Sequence, residues 1–146
     1  MTVNGDTEGI EVKYKHLTIN NGTLHIYSND DPINGSEDGV AHITINGGYI
    51  YCNAVGTEGD GIDSNGYITI NGGTVIALAS PESMDSGIDS DMGSVINGGT
   101  VVGAGNMYDS LEDSSEQLYM FLQFSESTDD LICITDENGK AIFAYD

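Results

Sequence analysis

A short motif recurs along the chain at an almost constant interval. The sequence Ile-Asn-Gly-Gly places its asparagine at positions 46, 71 and 97, and the variant Ile-Asn-Asn-Gly places an asparagine at position 20. These asparagines are 26, 25 and 26 residues apart. A fixed period in this range is typical of repeat architectures, in which each repeat is one structural unit stacked on the next. The repeat therefore restricts the fold more than any other feature of the sequence.

The residues on either side of each asparagine alternate between apolar and polar, as in short β-strands with one buried face. When the copies are aligned on the asparagine, the inward positions fall into columns. These are Leu17, Ile43, Ile68 and Ser94; Ile19, Ile45, Ile70 and Ile96; Leu24, Ile50, Val75 and Val101; Ile26, Cys52, Ala77 and Gly103; and Ile10, Ile33, Ile62 and Ile88. We predict that each column is one stack with a member from every coil.

A unit of 25 or 26 residues cannot bury an apolar face alone. Stacked units can, because each strand then pairs in parallel with the copy above at about 4.8 Å. We therefore predict an all-β fold, a right-handed parallel β-helix of about four coils. A propeller blade would need a period of roughly 40 residues, and a calcium-binding roll would need nonapeptide Gly-Gly-x-Gly-x-Asp repeats.

The Asn-Gly corners have a structural explanation. Glycine supplies the positive φ of a sharp bend, and stacked asparagine side chains can form a hydrogen-bonded ladder along the solenoid. We expect this structural role, rather than ligand binding, for Asn20, Asn46, Asn71 and Asn97.

The repeat stops after Gly105, and a different kind of sequence follows. Residues 109–117 are acidic and serine-rich, which indicates a linker. Apolar runs at 118–124, 131–134 and 141–145 come next, and a hairpin signal at 136–139 joins the last two. Solenoids need a different terminal element over an end coil. We predict parallel β-helix coils over 1–107 and a C-terminal β-hairpin cap of the same domain over 108–146.

The N-terminal coil lacks an equivalent cap. This leaves two alternatives open: self-association through that coil, or a longer protein of which this chain is a piece. The sequence from Met1 to Asn4 leads directly into polar sequence, which is not typical of a signal peptide. We expect a secreted or cell-surface protein whose leader is not part of this sequence.

The charge balance limits the partners. The chain has 24 Asp and Glu against 3 Lys and no Arg, a net charge of -21. Such a surface repels phosphate backbones and anionic lipid, so neither nucleic acid nor membrane insertion is expected. Disorder is not expected either, because hydrophobic residues reach 38% and alternate regularly.

Cys52 and Cys133 lie in apolar strand patterns and are expected to be buried free thiols, with a disulfide as the alternative.

Acidic residues precede one strand of every coil. The four turns are Glu8-Gly9-Ile10-Glu11, Asp30-Asp31-Pro32-Ile33-Asn34, Asp60-Gly61-Ile62-Asp63 and Asp85-Ser86-Gly87-Ile88-Asp89. In stacked coils these oxygens lie one strand spacing apart, where like charges destabilise each other unless a cation lies between them. Hard oxygen ligands without His or Cys favour Ca²⁺ over zinc.

The sequence thus predicts two calcium sites, and a solvated acidic loop is the alternative. The first combines Asp60 and Asp63 with Asp30 and Asp31 of the coil before. The second combines Asp63 with Asp85 and Asp89.

Residues 60–75, Asp-Gly-Ile-Asp-Ser-Asn-Gly-Tyr-Ile-Thr-Ile-Asn-Gly-Gly-Thr-Val, resemble the repeat of the clostridial-type carbohydrate-binding β-helix domain. That family of secreted proteins is related in structure to calcium-dependent pectate lyases. The resemblance covers roughly residues 8 to 145, including an Asp-x-x-Gly-Lys turn at 136–140. It implies Ca²⁺ binding by these aspartates and binding of plant cell-wall polysaccharide, particularly acid sugars such as polygalacturonate. The chain departs from the family in length, with only four coils.

A lyase would also need a base, usually Lys or Arg, to remove the proton α to the uronate carboxylate. The chain has no Arg, and Lys13, Lys15 and Lys140 lie outside the coil of Asp60 and Asp63. We therefore predict a carbohydrate-binding module and no enzyme. Two alternatives stay open: a pectate-lyase-like enzyme acting by β-elimination, and a calcium-stabilised cell-surface solenoid that binds no glycan.

Exposed aromatic rings could add a platform for sugars. We predict that Tyr49, Tyr51 and Tyr67 point outward and contact sugar, with ordinary packing on a β-surface as the alternative. The histidines, at 16, 25 and 42, are expected to be ordinary surface residues.

Overall fold

The structure, a computed structural model, describes residues 1–125 and 132–145. Within these ranges the chain forms β-strands and no helix, and hence no helix that could cross a membrane. The strands are, in chain order, β1 (Thr2–Gly5), β2 (Ile10–Val12), β3 (His16–Ile19), β4 (Thr23–Ser28), β5 (Ile33–Gly35), β6 (His42–Ile45), β7 (Tyr49–Ala54), β8 (Ile62–Ser64), β9 (Tyr67–Ile70), β10 (Thr74–Leu78), β11 (Ile88–Ser90), β12 (Ser94–Ile96), β13 (Thr100–Ala104), β14 (Ile132–Thr135) and β15 (Ala141–Tyr145).

Each coil contributes one strand to each of three parallel sheets. Sheet A has the order β1-β4-β7-β10-β13, sheet B the order β2-β5-β8-β11, and sheet C the order β3-β6-β9-β12. Every strand of these sheets pairs with the corresponding strand of the neighbouring coils. The prediction of a stacked parallel β-solenoid with about four turns is confirmed.

The strand register matches the columns predicted from the sequence. Ile45 pairs with Ile19 and Ile70, Ile50 with Leu24 and Val75, and Ile62 with Ile33 and Ile88, as do the members of the remaining columns. The inward column side chains of the middle coils are fully buried, and each such isoleucine contributes about 1.5–3 kcal/mol of transfer free energy. Members in the end coils, such as Ile10, Leu17 and Val101, are only partly buried because they lack a neighbour on one side.

The corners between sheets C and A contain the predicted asparagine ladder. Nδ2 of Asn46 donates to Oδ1 of Asn20 over 2.8 Å, and the same contact joins Asn71 to Asn46 and Asn97 to Asn71. The second residue after each asparagine has a positive φ and is always glycine, with φ of 120° at Gly22, 101° at Gly48, 95° at Gly73 and 97° at Gly99. The first residue after the asparagine does not have a positive φ, so Asn21 can stand there in the first coil.

Replacing Gly73 by alanine is expected to lower the unfolding temperature by roughly 5–10 °C. The left-handed backbone costs a non-glycine residue about 1–3 kcal/mol, and a Cβ would also lie 2.7 Å from the carbonyl oxygen of Gly48 in the coil below. Gly22→Ala is the matched control, since Gly22 has the same corner geometry but nothing within 4 Å of such a Cβ. Calorimetry should show a clearly smaller loss for Gly22→Ala, and equal losses would contradict the role of the inter-coil contact.

The C-terminal segment differs from the solenoid. β14 and β15 form an antiparallel hairpin, and Oδ1 of Asp136 accepts hydrogen bonds from the backbone of Asn138 and Lys140, as expected of the predicted turn. The apolar run at 118–124 forms no strand, and most of its side chains are exposed. Parallel bridges continue beyond residue 107 to Leu111, which packs against the core. Leu131 of the predicted run lies outside the described residues.

The two cysteines are free, and their environments differ. Cys52 is buried in the core, as predicted, and burial raises the pKa of its thiol to about 12. The prediction that Cys133 is buried was wrong. Cys133 lies on an outward position of a two-stranded hairpin, where only one side of the strand can be covered.

Candidate functional site

Acidic residues line the edge at which each coil turns from sheet A into sheet B. The turns before β2, β5, β8 and β11 stack because these strands pair in register. The first outward position of sheet B forms a polar column of Glu11, Asn34, Asp63 and Asp89. Together, the acidic residues of the turns and this column form what we call the acidic edge; it comprises Glu8, Glu11, Asp30, Asp31, Asn34, Asp60, Asp63, Asp85 and Asp89.

Six carboxylates of the acidic edge form two groups whose oxygens could share a cation. The first triad is Glu8, Asp30 and Asp31, and the second triad is Asp60, Asp63 and Asp89. In each triad one oxygen per residue lies within 4.8 Å of the others. The sequence predicts one site from Asp30, Asp31, Asp60 and Asp63, whereas in the structure the two pairs belong to separate triads and Glu8 joins the first.

Two of these aspartates also hold the coils together. Oδ1 of Asp31 accepts a hydrogen bond of 2.7 Å from the backbone N–H of Asp60, and Oδ1 of Asp60 accepts one of 2.6 Å from that of Ser86. Each carboxylate thus satisfies a donor of the next coil, a role that the sequence pattern does not predict. The second oxygen of Asp31 accepts from Nδ2 of Asn34 over 3.1 Å.

Asp85, the remaining predicted ligand, belongs to neither triad. It lies three residues before Ile88, whereas Asp60 lies two residues before Ile62, so Ser86 occupies the equivalent position in the fourth coil. Its Oδ2 accepts hydrogen bonds from the backbone N–H of Gly59, over 2.7 Å, and from the hydroxyl of Ser83. Asp85 therefore fixes the turn between the third and fourth coils.

Burial raises the pKa of Glu8 and Asp31 in the first triad and of Asp60, Asp63 and Asp89 in the second. Burial, followed by the charges of its acidic neighbours, raises the pKa of Asp31 to about 8, although the hydrogen bond from Asp60 opposes the change. The same causes raise the pKa of Asp63 to about 7 and that of Asp60 to about 6. The ion pair that the described residues do contain, Lys13 with Glu11 at 3.4 Å, involves no triad carboxylate.

Oxygen acceptors beside both triads lack hydrogen-bond donors. Among the described residues, the buried atoms Oε2 of Glu8, Oδ1 of Asn34 and Oδ2 of Asp109 have no partner. Asn34 donates to both Glu8 and Asp31, which places its unpaired oxygen beside the first triad. Burial and, next, the charge of Asp109 raise the pKa of Asp89, which links Asp109 to the second triad. Unpaired buried oxygens next to carboxylates fit a hard cation such as Ca²⁺.

Three residues in or next to the two triads were not among the predicted ligands. Glu8 and Asn34 occur in the acidic turns, and Glu8 lies two residues before the column isoleucine, like Asp31 and Asp60, so the alignment could have identified it. Asp109 follows the last repeat and has no equivalent in the other coils, so no pattern in the sequence indicates it.

The predicted sugar-contacting tyrosines lie on two different sheets. Tyr49 and Tyr51 point outward from β7 in sheet A, and Tyr67 points outward from β9 in sheet C. Tyr67 is 41% exposed and packs its ring 5.8 Å from that of His42. The structure therefore brings Tyr49 and Tyr51 together and separates them from Tyr67.

Fold and site define the molecule as an acidic parallel β-solenoid with two oxygen-rich clusters along one edge. Residues 1–118 match the family described as carbohydrate-binding domain-containing protein. Because the match spans most of the chain, the chain belongs to this family. Searches of curated proteins and of solved structures found no significant match.

Proposed function

We propose that this domain binds acid polysaccharide of the plant cell wall, such as polygalacturonate, and that it does so through Ca²⁺. One observation carries the proposal: two carboxylate triads, accompanied by unpaired buried oxygens, lie along a single edge of a domain from a carbohydrate-binding family. The cation contacts would come from Glu8, Asp30, Asp31 and Asn34 in the first triad and from Asp60, Asp63 and Asp89 in the second.

Calcium would make an acidic protein compatible with an acidic ligand. The chain carries a net charge of -21, so a polyuronate and the acidic edge repel each other without a cation. Ca²⁺ takes six to eight oxygen ligands. When bound, the ion supplies positive charge and coordination positions that uronate carboxylates can share with the protein.

Binding is favoured over β-elimination because, in the part of the chain that the structure describes, no lysine forms an ion pair with a triad carboxylate, and the sequence has no Arg. Lys13 pairs with Glu11, and Lys15 lies in the turn between β2 and β3. We therefore propose that the domain shares the fold of pectate lyases and not their catalytic activity. A ligand of this kind lies outside the cell, so the proposal includes a secreted or cell-surface location.

Affinity electrophoresis through gels containing polygalacturonate tests this function. We expect strong retardation with 1 mM CaCl₂ (on the order of millimolar, as for extracellular calcium modules) and at least roughly tenfold weaker affinity with EGTA. Highly methyl-esterified galacturonan is the matched ligand control, because it keeps the sugar backbone and lacks most of the carboxylates. Unretarded migration in both conditions would overturn the binding proposal.

The same gels, combined with thermal unfolding in EGTA, distinguish the alternative of a structural solenoid that binds no glycan. If EGTA destabilises the fold while polygalacturonate never retards the protein, calcium holds the coils and the solenoid binds no acid glycan. If EGTA changes neither property, the acidic edge has no function in calcium binding.

A further inference from the structure

The outer face of sheet A contrasts with the rest of the molecule in its charge. In the described part of the chain, the five strands of this sheet contain no Asp, Glu, Lys or Arg, although the chain carries 24 acidic residues. The outward positions are instead occupied by hydroxyl, amide, aromatic and aliphatic side chains. This face is therefore a surface that an anionic polymer can approach without repulsion from the strands themselves.

Four aromatic rings form a continuous row across two neighbouring strands of this face. The ring of His25 in β4 lies 5.6 Å from that of Tyr49 and 6.0 Å from that of Tyr51 in β7. Tyr27 in β4 lies 5.8 Å from Tyr51. We call the sequence Tyr49, His25, Tyr51, Tyr27 the aromatic row.

The direction of the row follows from the strand register. His25 stands opposite Tyr51, Tyr49 stands opposite Thr23, and Tyr27 stands opposite Asn53. The row thus advances along the strands, from the asparagine corner at Tyr49 towards the end of β4 at Tyr27. Because Asp30 comes three residues after Tyr27, at most roughly 10 Å of extended chain separates the row from the first triad.

We propose that the aromatic row is the surface on which sugar rings stack, with the polysaccharide running along the strands of sheet A towards the first triad. This inference rests on the proposed polysaccharide binding and adds His25 and Tyr27 to the residues that contact sugar. Tyrosine and imidazole rings present flat faces with an apolar body and a polar tip, which suits the apolar C–H faces and hydroxyl edges of pyranoses. The row supplies uncharged contacts, and the triad supplies the cation that the uronate needs.

Alanine variants of the row test the proposal by isothermal titration calorimetry with polygalacturonate and, in parallel, with hydroxyethylcellulose. Tyr27→Ala and Tyr49→Ala should each weaken binding roughly three- to tenfold, and the double variant more than tenfold. Tyr27→Phe and Tyr49→Phe keep the ring and should retain most of the affinity, which separates stacking from hydrogen bonding. Tyr14→Ala is the control, because Tyr14 is 77% exposed in a turn outside sheet A.

Thermal unfolding of each variant tests whether the fold is intact. If an alanine variant at a tyrosine is unstable, the affinities of His25→Phe and His25→Ala are compared instead, since only the first of these keeps an aromatic ring. If the row variants bind as wild type while EGTA abolishes binding, the proposed role of the aromatic row is overturned and the calcium-dependent function stands. If they weaken binding while EGTA has no effect, the row is supported and calcium bridging fails. If the wild type binds neither polysaccharide, both proposals are overturned.

Discussion

Chelating calcium with EGTA is expected to lower the unfolding temperature of the protein by roughly 15 °C. A ligand that binds only the folded state stabilises it by about 2.7 kcal/mol at a hundredfold excess over its Kd. Two triads therefore supply about 5 kcal/mol, and 1 kcal/mol corresponds to roughly 2–4 °C in a domain of this size. The effect is large because calcium would relieve the repulsion within both triads and would satisfy the buried oxygens of Glu8 and Asn34.

Differential scanning calorimetry with and without calcium measures this shift. Asp63→Asn removes one carboxylate of the second triad and should remove roughly half of the calcium-dependent increase, leaving the first triad intact. Asp113→Asn makes the same change in charge at an exposed carboxylate outside both triads and should keep the full increase. An unfolding temperature that is the same in EGTA and in calcium would rule out both proposed sites.

The solenoid itself could be predicted in detail because its causes are local and repeated. One isoleucine column, Ile10, Ile33, Ile62 and Ile88, was aligned from the sequence and is paired in that register throughout sheet B. A one-residue slip would turn every inward side chain outward, so the pattern leaves a single register. The Asn-Gly corners could be predicted for the same reason, since a sharp bend needs glycine at the position with positive φ.

The grouping of the acidic residues could be predicted less well. Stacking predicts which residues are neighbours, but it does not say whether a carboxylate turns to the coil above, to the coil below or to a backbone donor. Asp31 and Asp60 each bond the backbone of the following coil, and Asp85 bonds Gly59. Those hydrogen bonds decide which oxygens remain to share a cation, and they depend on side-chain rotamers and loop paths that the sequence pattern does not contain.

The C-terminal part shows the same limit in another form. The turn residues at 136–139 predict a hairpin from local sequence alone, and the structure contains that hairpin. The run at 118–124 has the composition of a strand, but in the structure it forms no strand and its side chains are exposed. Composition alone therefore indicates strand propensity, whereas strand formation also needs a partner with free backbone groups.

Without calcium, the protein is expected to become more stable as the pH falls from about 8 to about 5, by roughly 5 °C or more in unfolding temperature. In the folded state the pKa is about 8 for Asp31, about 7 for Asp63 and about 6 for Asp60, whereas an unfolded aspartate has a pKa near 3.9. The folded chain therefore binds more protons in this window. The stabilisation from protonation is complete below about pH 4 and is lost as the pH rises through 6 to 8.

Saturating calcium should flatten this dependence, because carboxylates that hold the cation stay ionised and the folded chain then binds no extra protons in this window. The increase in unfolding temperature caused by calcium should be greatest above about pH 8, and it should disappear as the pH falls towards 5, where the curves with and without calcium meet. Asp63→Asn lacks one of the titrating groups, so its curve in EGTA should be flatter than that of Asp113→Asn. Scans in EGTA that show stability rising with pH between 5 and 8 would contradict the mutual repulsion of the triad carboxylates, and with it the reason that a cation is needed at this edge.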